Sequence, residues 1–102
     1  MKATMITELV KFKVLETITD EQLELKADIL NEFQKKQDGF IDAELLKDVK
    51  ENAWCIIYHY ESFEKVQAIG EKLRASKEFD EFISLIFPGS LSMSFYHQVS
   101  KW

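Results

Sequence analysis

The sequence contains a single cysteine, Cys55, and only two histidines. One thiol cannot form an intrachain disulfide or supply a cysteine-based zinc cluster, and the histidines show no metal-ligand spacing. Cys55 lies in an apolar stretch, which favours a buried thiol over a nucleophile. The sequence also lacks a Gly-rich phosphate loop and a Ser-His-Asp or Cys-His constellation. We therefore expect neither a metal nor a cofactor.

Positive charge is scarce as well. Thirteen Lys and Arg residues against 18 Asp and Glu give a formal net charge of −5, which argues against a nucleic-acid or anionic-membrane surface. No apolar run approaches the ~20 residues of a membrane span, and the first eight residues do not resemble a signal peptide. We expect a cytoplasmic protein without membrane contact. With 46% hydrophobic residues among 102, residues 1–102 can form one domain around one core.

The first half of the chain predicts a strand, a helix and a hairpin. Val10, Phe12 and Val14 alternate with lysines, which indicates a half-buried strand over residues 5–15. Thr19 and Gln22 form a capping box that opens a helix over 20–37. Strands over 40–47 and from 53 to about 60 follow, joined by a short polar connection that predicts an antiparallel hairpin.

The second half predicts two helical segments and a last strand. Ser62 caps a helix that begins at Phe63, and the apolar pattern changes phase near Ser76, which caps a shorter helix to about residue 87. Pro88-Gly89 marks a turn before a strand over 91–99. This βαββαβ order predicts a ferredoxin-like α+β fold. Its antiparallel sheet has the strand order 4-1-3-2, with the helices on one face.

The two faces of this sheet are predicted from residue parity. Residues expected beneath the helices are Val10, Phe12, Val14, Ile41, Ala43, Leu45, Cys55, Ile57, Leu91, Met93 and Phe95. Residues expected on the opposite, open face are Leu9, Lys11, Asp42, Glu44, Trp54, Ile56, Tyr58, Tyr60, Ser94 and Tyr96. So many aromatic side chains would form a large exposed apolar patch. We therefore expect a homodimer through the open faces, with a pocket for a small molecule between the sheet and the partner subunit.

Three segments of the chain carry a recognisable order of motifs. They are Asp38-Gly39-Phe40 running into Ala43-Glu44-Leu45-Leu46, then Ile57-Tyr58-His59-Tyr60-Glu61-Ser62-Phe63, then Ser76-Lys77-Glu78-Phe79. With these segments the chain resembles the antibiotic-biosynthesis-monooxygenase family of dimeric α+β barrels. The resemblance spans about residues 5–99, although the family usually has Trp where this chain has Tyr60. The resemblance implies a dimeric barrel. Members of the family include cofactor-independent oxygenases, isomerases and haem-degrading enzymes. Haem-degrading members carry Asn, Trp and His where Glu8, Val66 and Ile83 stand here, so haem degradation is disfavoured.

Eight side chains are candidates for a functional site. His59, His97 and Tyr58 are the candidates for proton transfer, because a base near neutral pH suits the oxidation of a quinol or anthrone. The candidate ligand contacts are Trp54, Tyr60, Tyr96, Lys11 and Glu44. Each also has a structural explanation: interface packing for the aromatic residues, hydrogen-bonded structural roles for the histidines, and intersubunit ion pairing for Lys11 and Glu44.

These residues leave two hypotheses for function. The first is a cofactor-independent monooxygenase, or a related isomerase, acting on a small aromatic or enolisable substrate. The alternative is a non-catalytic small-molecule-binding or structural dimer of the same fold.

Overall fold

The computed structural model describes residues 5–102. Its elements are β1 (Ile6–Lys13), α1 (Asp20–Lys35), β2 (Phe40–Lys47), β3 (Ala53–Tyr60), α2 (Phe63–Arg74), α3 (Lys77–Ile83) and β4 (Ser92–His97). The four strands form one antiparallel sheet in the order β2-β3-β1-β4. This is the predicted order 4-1-3-2 read from the other edge, so the ferredoxin-like α+β fold is confirmed. None of the helices in residues 5–102 is long and apolar enough to cross a membrane.

The helix starts lie where the sequence predicted them. Thr19 accepts a hydrogen bond from the Gln22 backbone N–H and Gln22 returns one to the Thr19 backbone, which completes the capping box. Ser62 and Ser76 cap α2 and α3 in the same way, through their side-chain oxygens. Gly39 has a φ of +94° between α1 and β2, a backbone conformation that favours glycine. The local chemistry of these residues therefore fixes the element boundaries.

The core lies between one face of the sheet and the three helices. Its largest contributors on β1 are Ile6, Val10 and Phe12, and Phe12 meets Phe82 of α3 edge to face with ring centroids 5.4 Å apart. Edge-to-face geometry places the positive edge of one ring against the negative face of the other. The three helices thus share one apolar cluster with the sheet.

Two leucines on α1 provide a matched test of this core. Leu23 is 0% exposed and Leu25 is 59% exposed. Leu23→Ala should lower the free energy of unfolding by about 2–5 kcal/mol, because it leaves a cavity beneath the helix. Leu25→Ala removes the same atoms from the surface and should stay within about 0.5 kcal/mol. Chemical denaturation of both variants measures the difference, and equal losses would contradict the packing of α1 described here.

The parity predicted for β3 is wrong. Trp54, Ile56, Tyr58 and Tyr60 are buried beneath the helices, whereas Cys55, Ile57 and His59 lie on the open face. The register explains this, because Val10 is opposite Ile56 and Glu8 is opposite Tyr58, so the even residues of both strands share one face. Both parities of β3 are apolar or aromatic, and the pattern alone could not identify the inner one. The inner parity is the one that carries the aromatic side chains of β3, Trp54, Tyr58 and Tyr60.

The prediction for Ile41 is also wrong, for a different reason. A register shift between Phe40 and Asp42 places Ile41 in a β-bulge, where it is exposed. An extra residue in one strand interrupts the alternation of sides. Phe40 therefore turns inward, against Tyr58 and Tyr60, while Ala43 and Leu45 face the helices as predicted.

Candidate functional site

A cavity of about 460 Å³ lies between the helix-facing side of the sheet and the helices. Its volume falls within the roughly 300–1,000 Å³ that is usual for small-molecule sites. Its buried apolar walls come from both layers: Val10, Leu30, Ile56, Val66, Ile69 and Phe82. Such walls suit an apolar molecule.

The mouth of the cavity lies between α2 and β4, because the exposed lining residues come from α2, from β4 and from Leu91 just before it. Phe63 of α2 and Phe95 of β4 meet there edge to face, with ring centroids 5.5 Å apart. Met93 extends the apolar rim along β4. The Arg74 guanidinium lies over Gly70, where an added Cβ would stand 3.1 Å from Nη1. The entrance therefore combines this apolar rim with the charged side chains of Arg74 and Glu71.

The floor of the cavity carries a buried polar cluster formed by Glu8, Gln34, Tyr58 and Tyr60. Glu8 is 8% exposed and stands opposite Tyr58 in the β1–β3 register. Tyr60 Oη lies 3.0 Å from Oε1 of Gln34 and 3.3 Å from Oε1 of Glu8. Gln34 is 1% exposed, and its Nε2 has no hydrogen-bond partner. The strand register and one turn of α1 thus bring a carboxyl group, an amide and two phenols together.

Burial dominates the electrostatics of this cluster. It raises the pKa of Glu8 above its ordinary value, and the hydrogen bond from Tyr60 only partly opposes that shift. Burial, followed by the charge of Glu8, raises the pKa of both Tyr58 and Tyr60. The phenols therefore stay protonated as hydrogen-bond donors, while Glu8 exchanges its proton closer to neutral pH than an exposed glutamate.

The raised pKa of Glu8 gives a stability prediction. A carboxyl group whose pKa is higher in the folded state destabilises the fold once it is ionised, and this penalty disappears below the pKa of the unfolded chain. Glu8→Gln should therefore be more stable than wild type at pH 7. Its advantage should shrink as the pH falls and vanish near pH 4. Denaturant titrations at several pH values measure this difference, and a constant or reversed difference would contradict it.

Only some of the predicted site residues line the cavity between the sheet and the helices. Tyr58 and Tyr60 line the cavity, together with Glu8, Val66 and Ile83, the three positions compared with the haem-degrading enzymes. Trp54 is buried further along β3 and does not line the cavity. Its Nε1 donates to Oδ1 of Asn52, and Nζ of Lys47 lies 5.3 Å from its ring centroid. His97 is exposed at the end of β4, next to Ile6 in the register.

The other predicted residues lie on the open face. His59 and Tyr96 flank Thr7 on neighbouring strands, and Nδ1 of His59 lies 2.6 Å from Oδ1 of Asp42. Lys11 and Glu44 share this face, as predicted, with Leu9 and Ile57 between them. Among residues 5–102, no three His, Cys, Asp or Glu side chains come close enough together to hold a metal ion. The sheet therefore separates His59 and Tyr96 from the cavity of the same subunit.

Sequence reasoning missed Glu8 and Gln34 as site residues. Glu8 interrupts the otherwise apolar inner side of β1, between Ile6 and Val10. Gln34 lies on the inner stripe of α1, four residues after Leu30. A polar residue at a core position is the available signal, since buried polar side chains need partners.

Comparison with solved structures places the chain in a known fold. SnoaB, a cofactor-independent oxygenase from Streptomyces nogalater, is 15% identical, with 97% of each chain covered and a TM-score of 0.78. A putative antibiotic biosynthesis monooxygenase from Nitrosomonas europaea is 12% identical, covering 97% of this chain and 94% of that one at a TM-score of 0.76. A Bacteroides thetaiotaomicron protein described as a possible oxidoreductase is 17% identical, with coverages of 95% and 100% and a TM-score of 0.72.

These likenesses concern the fold. No protein-family profile matches the chain, and no curated protein matches it by sequence. The ferredoxin-like α+β fold that the resemblance implies for one subunit is confirmed, and almost the whole chain shares it with a cofactor-independent oxygenase and a putative antibiotic biosynthesis monooxygenase.

Proposed function

We propose that this protein is a cofactor-independent oxygenase of a small aromatic or enolisable substrate, which binds in the cavity between the sheet and the helices. The observation that carries this proposal is one buried carboxyl group, Glu8, on the floor of an apolar cavity, next to the hydroxyl groups of Tyr58 and Tyr60. The fold shared with a cofactor-independent oxygenase supports the same reaction class. A pocket facing a partner subunit is not needed for this chemistry.

In this proposal Glu8 is the general base. It removes a proton from an acidic C–H or O–H of the substrate, and the raised pKa of its carboxyl group suits this transfer near neutral pH. The substrate anion passes one electron to O₂, and the resulting radical and superoxide combine to a peroxide. Loss of water from the peroxide leaves a carbonyl group, with a proton returned by Glu8. For an anthrone the balance is CH₂ + O₂ → C=O + H₂O, so no other reductant is required.

The surroundings of Glu8 support each requirement of that reaction. The substrate anion needs hydrogen-bond donors, and the hydroxyl groups of Tyr58 and Tyr60 stay protonated beside the cavity. Donors already oriented in a site without bulk water stabilise developing charge strongly. Arg74 at the mouth adds a cation that an anionic substituent of the substrate can meet.

We also propose that the protein is a homodimer that pairs the open sheet faces of two copies. That face carries an apolar centre of Leu9 and Ile57, with Lys11 and Glu44 around it. A two-fold interface must be complementary to itself, and charges of both signs around an apolar centre meet this condition. In this arrangement His59 and Tyr96 contact the second copy.

Oxygen uptake tests the proposed reaction. Purified protein with anthrone or 1,4-naphthohydroquinone should consume O₂ without added cofactor, at a rate proportional to protein concentration and above the autoxidation of each compound. The product from anthrone should be anthraquinone, with one O₂ consumed per molecule. A panel of such compounds that binds without any protein-dependent uptake would contradict the oxygenase proposal.

The second candidate is a non-catalytic binding protein with the same cavity. The observation in its favour is that Tyr60 already bonds Glu8 within the protein, as it would in a purely structural polar cluster. Saturable binding without oxygen uptake across the panel would select this candidate.

A further inference from the structure

Two glutamines around the C-terminal end of α1 differ in how their side-chain amides are paired. Nε2 of Gln37 donates to the backbone oxygen of Phe33 at 3.2 Å. Nε2 of Gln34 has no hydrogen-bond partner, although Gln34 is only 1% exposed. A buried amide N–H without a partner lowers the stability of a fold. An apolar side chain of similar length, such as methionine, would avoid this penalty.

The unpaired nitrogen belongs to a residue that lines the cavity between the sheet and the helices. Two buried side-chain atoms within residues 5–102 lack a partner, Gln34 Nε2 and Asn31 Oδ1. Asn31 lines a separate and smaller cavity of about 140 Å³ between α1 and the strands β2 and β3. Of these two atoms, therefore, only Gln34 Nε2 belongs to the lining of the larger cavity.

Tyr60 determines which end of the Gln34 amide is left over. Tyr60 Oη lies 3.0 Å from Oε1 of Gln34 and 3.3 Å from Oε1 of Glu8, so the shorter distance is to the amide. Oε1 of Gln34 accepts from this hydroxyl and is already paired within the protein. The polar atom that remains for a ligand is Nε2, and an amide N–H only donates. The ligand group that matches it is an oxygen with free lone pairs.

We infer that Gln34 is a ligand-binding residue whose Nε2 donates to a carbonyl oxygen of the substrate. This inference rests on the proposed function, in which Glu8 removes a proton from the bound molecule. Tyr60 contacts both Glu8 and Gln34, so the base and the amide lie on either side of one phenol. The acidic carbon and the carbonyl oxygen must then lie at the same end of the substrate.

The position of this donor narrows the class of substrate. When Glu8 takes the proton from the carbon, negative charge develops on the carbonyl oxygen, and a donor held in place there stabilises it. A ketone such as anthrone presents that acceptor before the proton is removed, whereas a hydroquinone presents hydroxyl groups. We therefore expect enolisable ketones, rather than hydroquinones, to be the natural class of substrate.

Binding of fluorenone and fluorene tests the inference without any reaction. Both compounds have the same three rings, and fluorenone has a carbonyl group in place of the CH₂ that the proposed base would attack. The ratio of fluorenone to fluorene affinity should fall roughly three- to tenfold in Gln34→Met, the loss of one hydrogen bond. Gln37→Met makes the same exchange outside the cavity lining and should leave the ratio unchanged. Isothermal titration calorimetry measures all four affinities.

Infrared spectroscopy of bound fluorenone provides a readout that a purely structural role of Gln34 would not move. A hydrogen bond to a carbonyl group lowers its stretching frequency. The frequency should therefore be lower in the wild-type complex than in an apolar solvent, and it should rise again in Gln34→Met. A lowering that survives in Gln34→Met and disappears in Tyr58→Phe would assign the carbonyl to Tyr58 and overturn the inference.

Nuclear magnetic resonance of the wild type decides the same point without a variant. The side-chain amide signals of Gln34 should shift when fluorenone binds and shift much less with fluorene. The amide signals of Gln37 should stay in place with both compounds. Equal shifts of the Gln34 signals with fluorenone and fluorene would overturn the inference.

The outcomes separate the inference from the proposed function. An unchanged affinity ratio in Gln34→Met would mean that the amide binds water or nothing, which overturns the inference even if anthrone is oxidised. A reduced ratio without oxygen uptake would keep Gln34 as a ligand-binding residue and contradict the oxygenase proposal alone. If neither fluorenone nor fluorene binds, the cavity is not a site for such molecules, and both fail.

Discussion

Replacing Glu8 by glutamine is expected to lower turnover of a reactive substrate by about 10²- to 10⁴-fold, the usual contribution of a positioned general base. Glutamine keeps the size of the side chain and its hydrogen bonding to Tyr60, but it cannot accept the substrate proton. Stopped-flow or electrode measurements of oxygen uptake with anthrone give the rate. Because Glu8→Gln is also expected to be more stable than wild type at pH 7, the loss of activity cannot come from unfolding.

Two tyrosines provide the matched control for this measurement. Tyr58→Phe removes a hydroxyl from the floor of the cavity, and Tyr96→Phe removes one from the open face of the sheet. The first should lower turnover by roughly ten- to a thousandfold, as expected when an oxyanion donor is lost, and the second should leave it unchanged. Retained activity in Glu8→Gln, together with a loss in His59→Ala, would instead support the base predicted from the sequence and move the site to the open face.

Ile57→Asp is expected to separate the proposed dimer. Ile57 lies between Leu9 and Glu44 in the register, at the centre of the open face. A carboxylate placed there would be buried without a partner against the second copy, a penalty of about 3–5 kcal/mol. The dimer dissociation constant should rise by about a hundredfold or more. Analytical ultracentrifugation across a range of protein concentrations measures this change.

Val49→Asp is the control for that substitution. Val49 is 95% exposed in the hairpin between β2 and β3, so it gains the same charge without entering the interface. Its sedimentation should match that of the wild type. A wild-type protein that sediments as a monomer of 12.0 kDa at all concentrations would exclude the dimer, while Ile57→Asp remaining dimeric would place the interface elsewhere.

Much of the fold could be predicted from the sequence because its signals are local. The Thr19 capping box, the Ser62 and Ser76 caps and the alternation of Val10 and Phe12 each determine a boundary or a side by short-range chemistry. The strand order followed from the βαββαβ connections. The prediction of which side of β3 faces the helices was wrong, because Tyr58 and Ile57 are both apolar enough to be buried. Only packing between distant segments decides that choice.

The contrast between local signals and long-range packing also explains which residues of the candidate site could be predicted. Tyr58 and Tyr60 were selected for their chemistry and do line the cavity, although on the opposite side of the sheet from the one predicted. Glu8 and Gln34 stand 26 positions apart in the sequence and meet only through Tyr60. No spacing motif links such residues, so composition and periodicity could not bring them together.

The position of the cavity mouth between α2 and β4 has a consequence for the assembled protein. Molecules would reach Glu8 from the helical side of the sheet, while the proposed subunit contact occupies the other side. Substrate entry and product release therefore require no opening of the dimer. We expect the two sites of a dimer to fill independently, with a Hill coefficient of about one, and subunit affinity to be the same with and without ligand.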